Sequence, residues 1–331
     1  MCGSVTSRQL TKVVQTEGVW TIRNGTVRLV GAAMAPLAFG VAACVPIAST
    51  TTTAPTTTAH IMVVMMENKN YSEVIGNPAQ QYVDSLAADY GSATHSYALA
   101  HPSLPNYLDI VSGSNQGVTD DNNPSSHSFA GTQTLADQLS TAGVSEKAYA
   151  ENMPADPSQD SGLYAVRHVP WEYFPGTKIA LANASGLTAD LNAANAPDFV
   201  WYTPNLTNDE HTGVPVDTVT QQLADGESFL SSFVPSVQAT AWYQAGGIII
   251  IQWDEAEGSD TSGLNGGAGG HIATIVVSDA LKAHPQQDST PVDTVGVLRS
   301  IEDAYGLAHL GNAADAANGN IDALLDAAPA P

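Results

Sequence analysis

His60-Ile-Met-Val-Val-Met-Met66 runs directly into Glu67-Asn68, and Gly247-Ile-Ile-Ile-Ile-Gln-Trp253 runs directly into Asp254-Glu255. Each is an unbroken apolar run of strand length that stops at a polar pair. A strand that is apolar on both faces has to be covered on both, as in a parallel sheet inside an α/β domain. Pro197-Asp-Phe-Val-Trp-Tyr-Thr203 and His271-Ile-Ala-Thr-Ile-Val-Val-Ser278 read the same way. Helical spacing appears at 80–89, from about Pro105, at 216–233 and at 295–305. Strands alternating with helices predict an α/β fold, a three-layer α/β/α sandwich around a largely parallel central sheet. In such sheets, sites gather beyond the carboxyl ends of the strands, so the polar tips matter.

The 331 residues include 10 Lys+Arg against 33 Asp+Glu, a formal net charge of −23. That balance repels nucleic-acid backbones and excludes them as the expected partner. With 43% hydrophobic and only 13% charged residues, the chain is not globally disordered. Residues 1–43 read as a signal peptide. Arg23 and Arg28 precede the apolar run 29–43, which is shorter than the roughly 20 residues a membrane span needs. Val41-Ala42-Ala43-Cys44 resembles the bacterial lipobox, in which Cys44 is lipidated and becomes the mature N-terminus. Cys2 and Cys44 build no disulfide framework. Residues 44–59 form a Thr/Pro/Ala-rich tether, and 60–331 read as one domain. The expectation is an exported bacterial protein, either a cell-surface lipoprotein whose only contact with the membrane is a lipid anchor at Cys44, or a secreted protein with an ordinary signal peptide.

Glu67, Asn68, Asp254 and Glu255 converge on one spot if their two strands are neighbours. Four oxygen ligands without Cys suit a hard or borderline divalent cation such as Mg, Ca, Mn or Zn. The competing reading is that polar residues stand there only because loops begin there. In His101-Pro-Ser-Leu-Pro-Asn-Tyr107, Ser103 sits at the mouth of a helix. Its hydroxyl there either caps free amides or lies beside a phosphate drawn to them, where a neighbouring cation makes it a nucleophile. Thr203-Pro-Asn-Leu-Thr-Asn-Asp-Glu-His211 supplies Asp209 and His211 at another strand end, and the Gly-rich stretch 257–270 leads into His271. Arg167 is a rare basic residue in an acidic chain, suited to a phosphate or to an ion pair.

In order along the chain, several motifs resemble those of the bacterial secreted phosphoesterase family. They are Met66-Glu-Asn-Lys-Asn-Tyr71, His101-Pro-Ser-Leu-Pro-Asn-Tyr-Leu108, Arg167-His-Val-Pro-Trp171, the 203–211 segment, Trp253-Asp-Glu255 and Gly269-Gly-His271. That family contains acid phosphatases and phospholipase-C-type enzymes and is similar in fold to the alkaline phosphatase superfamily. The resemblance implies that Glu67, Asn68, Ser103, Asp254 and Glu255 bind a metal, with Ser103 also the nucleophile. It implies that Asn106, Asp209, His211, His271 and Arg167 hold the phosphate side, and that His211 or His271 protonates the leaving alcohol. Where the family often has Asp-His before its last helix, this chain has Asp293-Thr294, which favours one metal over two. The implied reaction is hydrolysis of a small-molecule or lipid phosphate ester through a phosphoserine. The rival readings are a phospholipase C-type phosphodiesterase and a non-catalytic phosphate- or metal-binding lipoprotein.

Overall fold

The structure, a computed structural model, describes residues 15–16, 19–20, 59–211 and 218–326. Gln15–Thr16 and Val19–Trp20 form a short antiparallel pair within the N-terminal unit 1–53. The rest of the expected signal peptide, Cys44 and all of the tether but Ala59 lie outside the described residues. No helix among the described residues is long and apolar enough to cross a membrane.

The unit 54–331 has nine strands among its described residues: β1 His60–Met66, β2 Gly91–Tyr97, β3 Glu146–Ala150, β4 Ala180–Asn183, β5 Phe199–Thr203, β6 Gly247–Trp253, β7 His271–Val277, β8 Gln286–Asp288 and β9 Val292–Asp293. They form one sheet in the order β8-β2-β7-β6-β1-β5-β3-β4, with β9 also beside β2. Among the described strands of this sheet, every pairing is parallel except those of β7, which runs antiparallel to both β2 and β6. The largely parallel α/β expectation holds. The one reversed strand has a consequence: its first residue, His271, pairs with Tyr97 and so lies at the end where the parallel strands finish.

The alternation of side chains along a strand sorts the helices onto two faces. In β5, Tyr202 packs on Phe233 of the long helix α4 (Val219–Gln238), 4.4 Å between ring centroids, after α1 (Gln81–Asp89), α2 (Ser103–Ser112) and α3 (Leu135–Ala142). Its neighbour Trp201 points the other way and meets Tyr107 of α2 edge-on at 6.3 Å. Helix α5 (Thr294–Ala304) lies beside α2. Met62 to Met66 of β1, and Ile249 to Ile251 of β6, have no exposed surface, as residues of central strands covered on both faces should. Helix α4 starts at Val219, and residues 216–217 of the expected helix lie outside the described ones.

Close approach governs the face under α4. Glu210, buried and at φ +75°, accepts hydrogen bonds from Gln80 Nε2 at 2.5 Å and Trp253 Nε1 at 2.9 Å. A Cβ on Gly226 of α4 would stand 2.2 Å from the Glu210 side chain, so the helix sits against it only because no side chain intervenes. We expect Gly226→Ala to lower the midpoint of urea unfolding. Helix propensity alone gains about 1 kcal/mol, but overpacking a filled interior costs about 1–3 kcal/mol and displaces a buried carboxyl. An unchanged or higher midpoint would show that α4 can slide away from Glu210.

Candidate active site

Because β6, β1 and β5 are parallel neighbours, their carboxyl ends lie side by side, about 5 Å apart per strand. Backbone bonds continue the ladder past the strand ends: Asp254 N–H donates to the Met66 carbonyl (2.9 Å) and Glu67 N–H to the Asp209 carbonyl (2.7 Å). The Asn68 amide donates to Asp254 Oδ1 at 3.0 Å. The two acidic tips read from the sequence therefore meet, and the 205–211 loop joins them.

Ser103 is the first residue of α2, which begins after Pro102. Its hydroxyl caps no amide. It lies 3.1 Å from Glu67 Oε2 and 3.2 Å from Glu255 Oε1, donating toward both carboxylates, and its side chain is almost fully buried. One hydroxyl proton satisfies only one of them. Asp254 Oδ2, also buried, has no hydrogen-bond partner in the structure. Burial drives the carboxyl pKa values up: Glu67 rises to about 8, and Glu255 to about 7 despite the lowering effect of His101 and Ser103. Asp254 and Asp209 are pushed well above the ordinary range by burial and then by the charge of Glu67. A set of crowded oxygens, with one orphaned and more carboxylates than His101 and His168 beside them can match, fits a hard divalent cation. Glu67, Ser103, Asp254 and Glu255 are the residues that would hold it. Asn68 stands beside them, but its side-chain oxygen faces Lys69 Nζ at 3.4 Å.

On the opposite side of Glu67 the chemistry changes sign. His168 Nε2 lies 3.1 Å from Glu67 Oε1, its Nδ1 is bonded to Asp209 Oδ2 at 3.1 Å, and its ring stacks on Tyr107. The Tyr107 hydroxyl donates to Glu67 Oε1. Ligand atoms of Glu67, His168 and His211 lie within 4.8 Å of one another, the one trio of His, Cys, Asp or Glu side chains among the described residues that lies so close together. The Arg167 guanidinium, however, is 3.4 Å from His211 Nε2. Burial, then Arg167 and Lys69, depress the pKa of His211 to about 4. Positive charge beside His211 disfavours a cation there and suits an anion. The cluster is thus polarised, with oxygen ligands toward Ser103 and Glu255 and cationic or neutral donors toward Arg167 and His211.

Two residues expected on the phosphate side have their side chains engaged elsewhere. Asn106, expected to hold phosphoryl oxygens, turns its side chain on its own loop: Oδ1 accepts from the Leu99 and Ala100 amides (3.0 Å each), and Nδ2 donates to the Ala100 carbonyl. It shapes the segment that delivers His101, Pro102 and Ser103. His271 lies at the correct end of the sheet, but its Nε2 is 3.0 Å from the Thr94 carbonyl and its ring stacks on Tyr71 at 4.3 Å. Its neighbours are Asp260, Thr94, Tyr71, His95 and Tyr97, which place the ring at the edge between β2 and β7. Missed by sequence reasoning were His168, Tyr107, Lys69 and His101, whose Nδ1 pairs with Glu255 Oε2 at 2.5 Å. His168 stood next to Arg167 in a motif already singled out. Lys69, His101 and Tyr107 likewise lay within quoted motifs, but nothing local distinguished their side chains from their neighbours'.

Sheet order, helices on both faces and a polar cluster at the carboxyl ends define an alkaline phosphatase-like α/β protein. The fold is similar to a protein of the alkaline phosphatase superfamily from Vibrio parahaemolyticus (TM-score 0.52, 12% identity, 78% of this chain and 70% of that one). It is also similar to a lipoteichoic acid synthase from Listeria monocytogenes (TM-score 0.56, 8% identity, 78% and 76%). The model of the phosphoesterase family matches residues 77–308, and the chain belongs to that family; it is a phosphoric ester hydrolase. It is 28% identical to a phosphatidylinositol-3-phosphatase of Mycobacterium tuberculosis over 78% of this chain and 81% of that protein. It is 27% identical to a probable acid phosphatase of Kluyveromyces lactis over 75% of this chain, and spans 58% of that longer protein.

The raised carboxyls make a signed prediction for the cation-stripped protein. A carboxyl whose folded pKa exceeds its unfolded value stabilises the fold fully below about 4 and loses that contribution as pH rises through the folded value. Glu67, Asp109, Glu210 and Glu302 lose it near 8, and Glu255 and Asp293 near 7. His168 and His211, with lowered values, oppose this only below about 6.5. Between pH 6.5 and 8.5 the melting temperature of the stripped protein should therefore fall, and an added divalent cation should reduce that fall. A flat profile that is insensitive to cation would contradict the electrostatic reading of the cluster.

Proposed function

We propose that this chain hydrolyses phosphate monoesters, with Ser103 as nucleophile, one divalent cation at the Glu67–Asp254–Glu255 cluster and a phosphoserine intermediate. The observation that carries the reading is the buried Ser103 hydroxyl, held at a helix mouth and aimed at two carboxylates beside the orphaned Asp254 Oδ2. When bound, the cation supplies charge that lowers the hydroxyl's pKa and offsets the negative charge of the phosphoryl group.

The protein's own groups do the rest. Glu67 and Glu255 orient the Ser103 Oγ, and one of them takes its proton as the oxygen attacks phosphorus; the P–O bond to the alcohol breaks on the opposite side, and the alkoxide leaves as the alcohol with a proton from solvent. Tyr107 and His168 fix Glu67, and Asp209 fixes His168. Arg167 and His211 face the phosphoryl oxygens from the opposite side, where donors set in place before reaction are worth most. His211 is neutral above about pH 4 in the free site, so its role is to hold an oxygen rather than to store a proton. Water then attacks the phosphoserine and releases phosphate.

The relatives named above are a phosphatidylinositol-3-phosphatase and an acid phosphatase, both monoesterases by name, which supports monoester over phosphodiester chemistry. Membership of a hydrolase family sets aside the silent binding protein. The apolar run 29–43 and Cys44 support export of this activity to the cell surface.

Ser103→Ala should lower turnover of p-nitrophenyl phosphate at least about a thousandfold without changing the melting profile. Asp254→Asn should weaken the response to added divalent cation. Chelation should abolish turnover in the wild type, and add-back of single ions should restore it. Full activity of the Ser103 variant, or indifference to chelation, would refute the assignment.

A further inference from the structure

The mouth of α2 is not free. Pro105 has no N–H, so Leu104 offers one of the few amides there, and the carboxylate of Asp121 takes it: Leu104 N–H donates to Asp121 Oδ1 at 2.9 Å. The other carboxylate oxygen, Oδ2, lies 3.9 Å from Arg167 Nε, and the same guanidinium reaches His211 Nε2 at 3.4 Å. A helix-mouth amide next to Ser103 and a guanidinium are the two donors that a phosphoryl group beside that serine would also seek. One protein carboxylate holds both. It does so from the rim, with about a third of its side chain exposed (34%), and in acidic company: Asp120, Asp160 and Glu255 all lie close enough to be felt. Nothing in this arrangement makes Asp121 a ligand of the oxygen cluster, and neither its sequence neighbours nor its motif context drew attention to it.

We infer that Asp121 is a positioning residue that stands in for the phosphoryl group: it holds the Leu104 amide and Arg167 in place between turnovers and competes with phosphate for them. The inference rests on the monoester reading of the site. It assigns Asp121 a cost in affinity and a gain in release. Each incoming phosphate has to share Arg167 with a fixed negative charge, so product is held less tightly than the donors alone would hold it. In a site whose other side binds a divalent cation, that competition keeps inorganic phosphate from lingering.

The test replaces the charge and keeps the cap. Asp121→Asn and Asp121→Ser each retain an oxygen able to accept from Leu104 N–H, so α2 should start at the same place; melting curves check this. Binding of inorganic phosphate to the cation-loaded wild type and variants is measured by calorimetry, and kcat and KM on p-nitrophenyl phosphate are measured separately. Both neutral variants should bind phosphate about fivefold to tenfold more tightly, as expected for removing a like charge from a shared site. KM should fall in step, and kcat should not rise. Unchanged phosphate affinity would reduce Asp121 to a helix cap. Weaker affinity would mean that it orients Arg167 toward phosphate instead of competing, and either result overturns the inference. Failure of the monoester reading is visible independently: the wild type would then neither bind phosphate nor cleave the ester, whatever residue stands at 121.

Discussion

Carboxylates crowded into the interior, more of them than the histidines among them can match, dominate this molecule. Glu67, Asp209 and Asp254 have no exposed surface and Glu255 almost none, yet they come from three chain segments brought together by parallel strand ends. Each one raises the proton affinity of its neighbours, so the folded domain needs either protons or a cation among them. A sheet does not acquire such an arrangement through packing alone. Burying an unpaired carboxylate is costly, and the cost is tolerable where the group serves chemistry.

The same constraint explains the asymmetry around Glu67. Toward Ser103 the groups in reach of its hydroxyl are carboxylate oxygens, with His101 behind Glu255. Toward Arg167 there are nitrogen donors, held in order by Asp209 through His168. Lys69, almost fully buried, anchors the base of this arrangement by donating to the Glu210 carbonyl at 2.8 Å, and Glu210 in turn ties the 205–211 loop to Gln80 and Trp253. Oxygens that suit a cation on one side and nitrogen donors on the other are a charge pattern that would offset the negative charge of a phosphoryl group from both sides. With an overall charge of −23, the protein offers no long-range attraction to a phosphate dianion, so local placement of charge has to supply it.

Much of this was legible in the sequence, and for a simple reason. Doubly covered strands leave continuous apolar runs, and where such a run stops, the tip of a parallel sheet begins. That logic put Glu67, Asp254 and Glu255 just past strand ends and Ser103 at a helix mouth, which is where the structure has them. It failed where a side chain's role depends on which way it turns. Asn106 and His271 lie near the correct places in the chain, but one is consumed by its own loop and the other by the Thr94 carbonyl and Tyr71. His168 and Tyr107 act through contacts with Glu67 that span 101 and 40 positions of sequence, and no local pattern encodes such pairings. The direction of β7 was likewise unreadable, since an antiparallel strand buried on both faces has the same composition as a parallel one.

The most direct measurement is the position of a bound ion. Crystals of the protein soaked in Mn²⁺ should show one strong anomalous peak in contact with Glu67 and Asp254, close to the Ser103 oxygen. A peak seated on His168 and His211 and clear of Asp254, or no peak at a concentration that supports full turnover, would contradict the account.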